Sequence, residues 1–188
     1  TGRAAEARAA IGDPRATEPL RELQRKLNDK LGIPDNKHAG YSEQWLRAAM
    51  ATAFGTLSTP GAREQLLHQA SLISKGDEFE PTPCKSICAA LAQVGSEDAA
   101  EALLDILQTT SLAEKIREKA AESLYAVGPK AIPLLKRTLL ESEAEVRRGA
   151  AAQVLQAFGA EGVEALREVV RTRDAKGLHQ AIYVLGQM

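Results

Sequence analysis

Apolar residues in this chain recur at intervals of three and four, and the rhythm breaks at regular places. Ala16, Leu20, Leu23 and Leu27 mark one helical face, as do Ala131, Leu135 and Leu139, and then Val163, Leu166 and Val170. Strand formers never collect into alternating runs with hairpin turns. The pattern predicts an all-α fold. The breaks fall at positions 12, 58, 95, 128 and 159, so the spacing shortens from 46 to 37, 33 and 31 residues.

Those breaks punctuate an internal repeat. "IREKAAESLYAVGPKAIPLL" at 116–135 and "VRRGAAAQVLQAFGAEGVEAL" at 146–166 share one plan. A β-branched residue and Arg open a first helix rich in small residues. An apolar pair and a Gly end it, and a second helix follows; the second copy has one extra residue before its Gly. "AAIGDPRATEPL" at 9–20, "AFGTLSTPGAREQLL" at 53–67 and "LAQVGSEDAAEALLDIL" at 91–107 repeat the latter half. Gly tolerates the left-handed backbone of a helix C-terminus. Pro14, Pro60 and Pro129 suit a first helical turn, where a missing N–H costs nothing. Asp13, Glu97, Asp98 and Glu161 complement the positive helix N-terminus. Each break therefore reads as a hairpin between antiparallel helices. One pair is too thin to bury its own apolar stripe, so neighbours must stack. Ala120, Ala121 and Ala150 to Ala152 are small where backbones have to approach, and Leu124 reads as core.

The unit resembles HEAT repeats, in particular the short type named after phycobilisome lyases. Ile116-Arg117 and Val146-Arg147 resemble its opening, Leu124, Val127 and Gly128 its middle, and Gly12-Asp13-Pro14-Arg15-Ala16 its turn. The likeness is strong over 84–188 and at 4–27. It lapses at 28–44 and 74–83, which read as long, turn-rich connections, and Gly177-Leu178 stands where Val-Arg is expected. The resemblance implies a right-handed α-α superhelix, a HEAT-like solenoid of about five helix pairs with a sixth begun at the C-terminus. It implies that Arg117 and Arg147 tie one repeat to the next through acidic groups, and that second helices line a concave face. It identifies a fold more sharply than a task.

Composition narrows the task. The net charge is −1, and the halves are balanced, with 12 basic and 11 acidic residues in 1–94 against 12 and 14 in 95–188. A nucleic-acid binder ordinarily carries a basic surplus, so that role is disfavoured. No apolar stretch approaches the roughly 20 residues that span a bilayer, and a cytoplasmic setting is expected. Residues 1–188 read as a single repeat domain. Thr1-Gly2 in place of an initiator Met reads as a piece of a longer protein.

The chemistry-bearing residues are sparse. Cys84 and Cys88 share a helical face, but lack further ligands at metal-site spacing and read as core. His38, His68 and His179 are scattered, with no His-Glu pair of the kind used by iron-dependent hydroxylases built on similar repeats. No nucleophile elbow or phosphate loop is present. Glu143 and Glu145 read as helix-start residues, with Glu143 four before Arg147 as a surface ion pair. On the helix at 41–57, Trp45, Tyr41 and Phe54 read as core.

What remains is surface. Lys136, Arg137, Arg167, Arg171 and Arg173 lie on second helices. They form either a basic strip for an acidic partner or, because Glu141, Glu164 and Glu168 interleave, an ordinary solvated face. "KGDEFEPTP" at 75–83 reads as a partner-specific insertion centred on Phe79. The sequence thus predicts a non-catalytic scaffold that binds another protein, through Phe79, Lys136, Arg137, Arg167 and Arg171, and needs no cofactor. The alternatives are a bilin lyase-like subunit, implied by the resemblance, and a HEAT-like nucleic-acid binder.

Overall fold

The structure is a computed structural model and describes residues 12–31, 41–57, 59–75, 81–172 and 175–188, without side chains at 27, 28, 30, 31 and 41–44. Among the described residues the regular structure is helical. Ten α-helices follow one another: α1 (Thr17–Leu31), α2 (Tyr41–Leu57), α3 (Pro60–Ser74), α4 (Pro81–Val94), α5 (Glu97–Gln108), α6 (Glu114–Ala126), α7 (Ile132–Glu141), α8 (Glu145–Ala157), α9 (Ala160–Arg171) and α10 (Leu178–Gln187).

The predicted punctuation is where the backbone turns. Gly12, Gly95, Gly128 and Gly159 all have positive φ, between 58° and 84°, a region that side chains with a Cβ rarely enter. Position 58 and the expected first helix within 1–11 lie outside the described residues. Asp13 accepts a hydrogen bond from the Arg15 amide at 3.0 Å. Pro14–Ala16 then forms a single 3₁₀ turn that runs into α1, and Pro129–Ala131 leads into α7 the same way. Thr59 caps α3 by accepting from the Ala62 amide at 3.2 Å, with Pro60 as the first helical residue.

Packing arranges the helices in two layers. First helices α2, α4, α6, α8 and α10 pack in succession on one side, and second helices α1, α3, α5, α7 and α9 on the other. Every second helix also packs on the first helix that follows it. One apolar core runs between the layers, from Ala16 and Leu20 through Phe54, Leu91, Leu124 and Leu155 to Val184. This is an all-α solenoid. Close approach depends on small residues: a Cβ on Gly55 of α2 would lie 2.9 Å from Ala90 of α4, and one on Gly162 of α9 only 1.8 Å from the Leu155 carbonyl oxygen of α8.

Several expectations change. The connections are shorter than 28–44 and 74–83. Helix α1 continues through 28–31, where Arg25 and Asp29 pair at 3.2 Å across one turn. Helix α2 already begins at Tyr41, and α4 starts at Pro81 because Pro81 and Pro83 occupy a first turn that needs no donors. Trp45 is 56% exposed while Phe54 is fully buried; nine residues at 100° each place them on opposite sides of α2. The Tyr41 side chain lies outside the description. On α9 the buried face is Gly162, Ala165, Leu166 and Val169, one step round from Val163 and Val170.

Candidate protein-binding surfaces

The second-helix layer is crossed by ion pairs at each of its junctions. Arg21 of α1 meets Glu64 of α3 at 3.8 Å, and Arg63 of α3 meets Asp98 of α5 at 3.6 Å. Arg137 of α7 meets Glu97 of α5 at 2.9 Å, and Lys136 of α7 meets Glu168 of α9 at 2.6 Å. Glu97 and Asp98, which supply two of the rungs, sit in the first turn of α5, where carboxylates favour the helix N-terminus. The Lys136 ammonium, donating to Glu168, holds that carboxyl below the usual range.

The sequence-predicted contact residues are therefore split. Phe79 and Arg173 lie outside the described residues. Lys136 and Arg137 are rungs of the ladder. Arg167 and Arg171 share Glu164 within α9, at 3.8 and 2.9 Å. All four cations have acidic partners, so this part of the second-helix layer is charge-compensated, as the interleaved glutamates suggested.

Other charged residues add further ties. Arg147 of α8 reaches Asp105 and Glu101 of α5, as the resemblance implied. Arg117 forms no ion pair among the described residues. Glu143 pairs with Lys176 rather than Arg147. It precedes α8, which starts at Glu145, so helical spacing does not bring it beside Arg147. That contact holds the Glu143 carboxyl below its ordinary value. Cys84 and Cys88 are buried in α4, and burial pushes the Cys88 thiol up to about 12, keeping it protonated. Among the described residues no cluster of three His, Cys, Asp or Glu is placed to hold a metal ion. No described helix is long and apolar enough to cross a membrane.

The first-helix layer has a different character. Trp45 on α2, Tyr125 on α6, Val146 on α8, and Ile182 and Tyr183 on α10 are large apolar side chains left in solvent. A groove of about 620 Å³ runs between α6 and α8, and a second of about 310 Å³ between α8 and α10. Gln153 of α8 lines both. The linings are largely apolar, with Leu107, Ala121, Val154 and Ala157 in the larger groove and Gly149, Ala152 and Val184 in the smaller. Tyr125 and Tyr183 form parts of their walls, and the Tyr125 ring is braced by Phe158 at 5.0 Å between centroids. The charged side chains lining them are glutamates: Glu118 and Glu122 in one and Glu145 in the other. Sequence reasoning missed this face. Its one legible trace is the four-residue spacing of Glu114, Glu118 and Glu122.

Comparison with known proteins agrees with the architecture. A family model described as HEAT repeats matches residues 73–156, the stretch from the end of α3 to the end of α8. A search of curated proteins finds no match. HEAT repeats generally mediate protein–protein interaction and are typically non-catalytic. The matched stretch contains α4 to α8, members of both layers, and residues 73–156 are on this ground HEAT repeats.

Proposed function

We propose that this chain is a non-catalytic scaffold that binds another protein on the surface of its helical array. The observation that carries the reading is the placement of Trp45, Tyr125, Val146, Ile182 and Tyr183 in solvent on one layer. Large apolar side chains left exposed on one layer favour a protein contact. The internal pairing of Lys136, Arg137, Arg167 and Arg171 supports a part in holding the array rather than in capture. A fixed surface also lowers the ordering cost of binding.

The test is affinity capture with the immobilised chain from a lysate of its source cells, followed by reconstitution with the purified candidate. The expected result is a one-to-one or other integral complex that forms without turnover and is weakened by Tyr125→Ala with Tyr183→Ala. Failure of every captured protein to reconstitute would overturn the reading. So would a change in visible absorbance on mixing with a bilin, which would favour the lyase-like alternative.

A further inference from the structure

The two grooves of the first-helix layer share an acidic edge as well as an apolar floor. Glu114, Glu118 and Glu122 recur at four-residue intervals and are exposed, so they form one stripe along α6 that leads to Tyr125. Glu145 stands at the start of α8 beside the second groove. Lys119 pairs with Glu122 at 3.0 Å, but neither it nor Lys115 lines a groove. Among the described residues Glu118 and Glu145 take part in no ion pair. Like charges four apart repel along a helix, and a cation from outside would relieve them.

We propose that this face takes an amphipathic helix of a partner protein, one with large apolar side chains on one face and Lys or Arg along its edge. The inference rests on the scaffold reading and names the site and the partner's chemistry. Two features set that chemistry. Apolar grooves between successive helices, in which Ala121, Ala157, Gly149 and Ala152 leave room beside Val154 and Val184, admit large apolar side chains, the mode in which a helix lies in a groove. Glutamate at the rims selects a basic helix over an acidic one. The second-helix layer offers no such preference, because its charges are matched across the ladder.

The test uses a fluorescent synthetic helix built of Leu and Lys with an apolar face, and a twin with Glu for Lys, titrated into the full chain and read by anisotropy. Gly149→Leu fills the smaller groove; a Cβ there meets nothing within 4 Å, so the helix accepts it. The Glu118→Lys, Glu122→Lys double variant reverses the stripe at exposed positions. Arg167→Ala on the other layer is the control. The expected result is binding of the Lys peptide and not its Glu twin, weakened at least tenfold by each groove variant and unchanged by the control. Equal binding of both peptides, or affinity untouched by the charge reversal, overturns the site. If Gly149→Leu fails the circular-dichroism check, the charge reversal alone decides. A reconstituted partner that binds both groove variants as tightly as the native chain would leave the scaffold reading standing and remove this site.

Discussion

The two layers of the array solve the same stacking problem with different chemistry. Across the second helices every junction carries an exposed ion pair, from Arg21–Glu64 to Lys136–Glu168. Across the first helices Gly55 of α2 lies close against Ala90 of α4, small buried alanines recur at Ala120 and Ala150 to Ala152, and Trp45, Tyr125 and Tyr183 are left exposed. Exposed pairs contribute little stability singly, so the ladder sets register while the shared core between the layers supplies most of the cohesion. The layer without a ladder is the one with apolar surface still to cover. Under the proposed function, structural restraint and recognition fall on opposite sides of one stack.

The largest expected effect tests the shared core. Leu124 is fully buried on α6, and Leu124→Asp would bury an unpaired carboxylate at a cost of several kcal/mol, roughly a large part of a domain's stability. Thermal melting by circular dichroism should show the cooperative transition lost or lowered by many degrees; an unaltered melt would mean the helix face is misassigned. Next comes the close approach of α8 and α9. Gly162→Ala should cost about 1–3 kcal/mol by overpacking, whereas Gly149→Ala should add about 0.5–1 kcal/mol through helix propensity. Urea unfolding of the two variants would reveal whether their signs are opposite.

A smaller effect belongs to Arg147. Its side chain is 18% exposed and spans α8 to α5, so Arg147→Ala should lower stability by about 1 kcal/mol and lessen the salt dependence of unfolding. The smallest is a single ladder rung. Glu168 titrates below the usual carboxylate range because Lys136 donates to it. Its contribution is therefore complete above the unfolded-state value and is lost as pH falls through the depressed native one. Carboxyl NMR should show Lys136→Ala returning Glu168 upward, with a shallower acid limb of unfolding. No movement of Glu168 would show that the rung does not form in solution.

Much of the fold was legible because glycine and proline have strong local rules. The turns at Gly12, Gly95, Gly128 and Gly159, the acidic helix start at Asp13, the proline at the first position of α3 and the span 41–57 follow from short-range chemistry. Side-chain direction was less legible, because a one-residue offset turns a helix by 100°. Ile116 and Val146 occupy the same place in the repeat motif, yet the first is 2% and the second 54% exposed. Ile116 is the third residue of α6 and Val146 the second of α8, so they face different ways. Glu143 defeated the four-residue rule because the helix starts after it. The grooves were the hardest to foresee. They are assembled from α6, α8 and α10, helices separated by about one repeat each, and the alanines and glycine in their linings look the same in sequence as those that merely allow close packing.

Hydroxyl-radical footprinting of the chain, alone and with its reconstituted partner, tests the division between the layers most directly. Alone, Trp45, Tyr125 and Tyr183 should be oxidised readily and Phe54 protected. With the partner present, protection should gather at Tyr125, Ile182 and Tyr183, leaving peptides from α7 and α9 unchanged. Protection confined to α7 and α9, with Tyr125 and Tyr183 still reactive, would contradict the assignment of recognition to the first-helix layer.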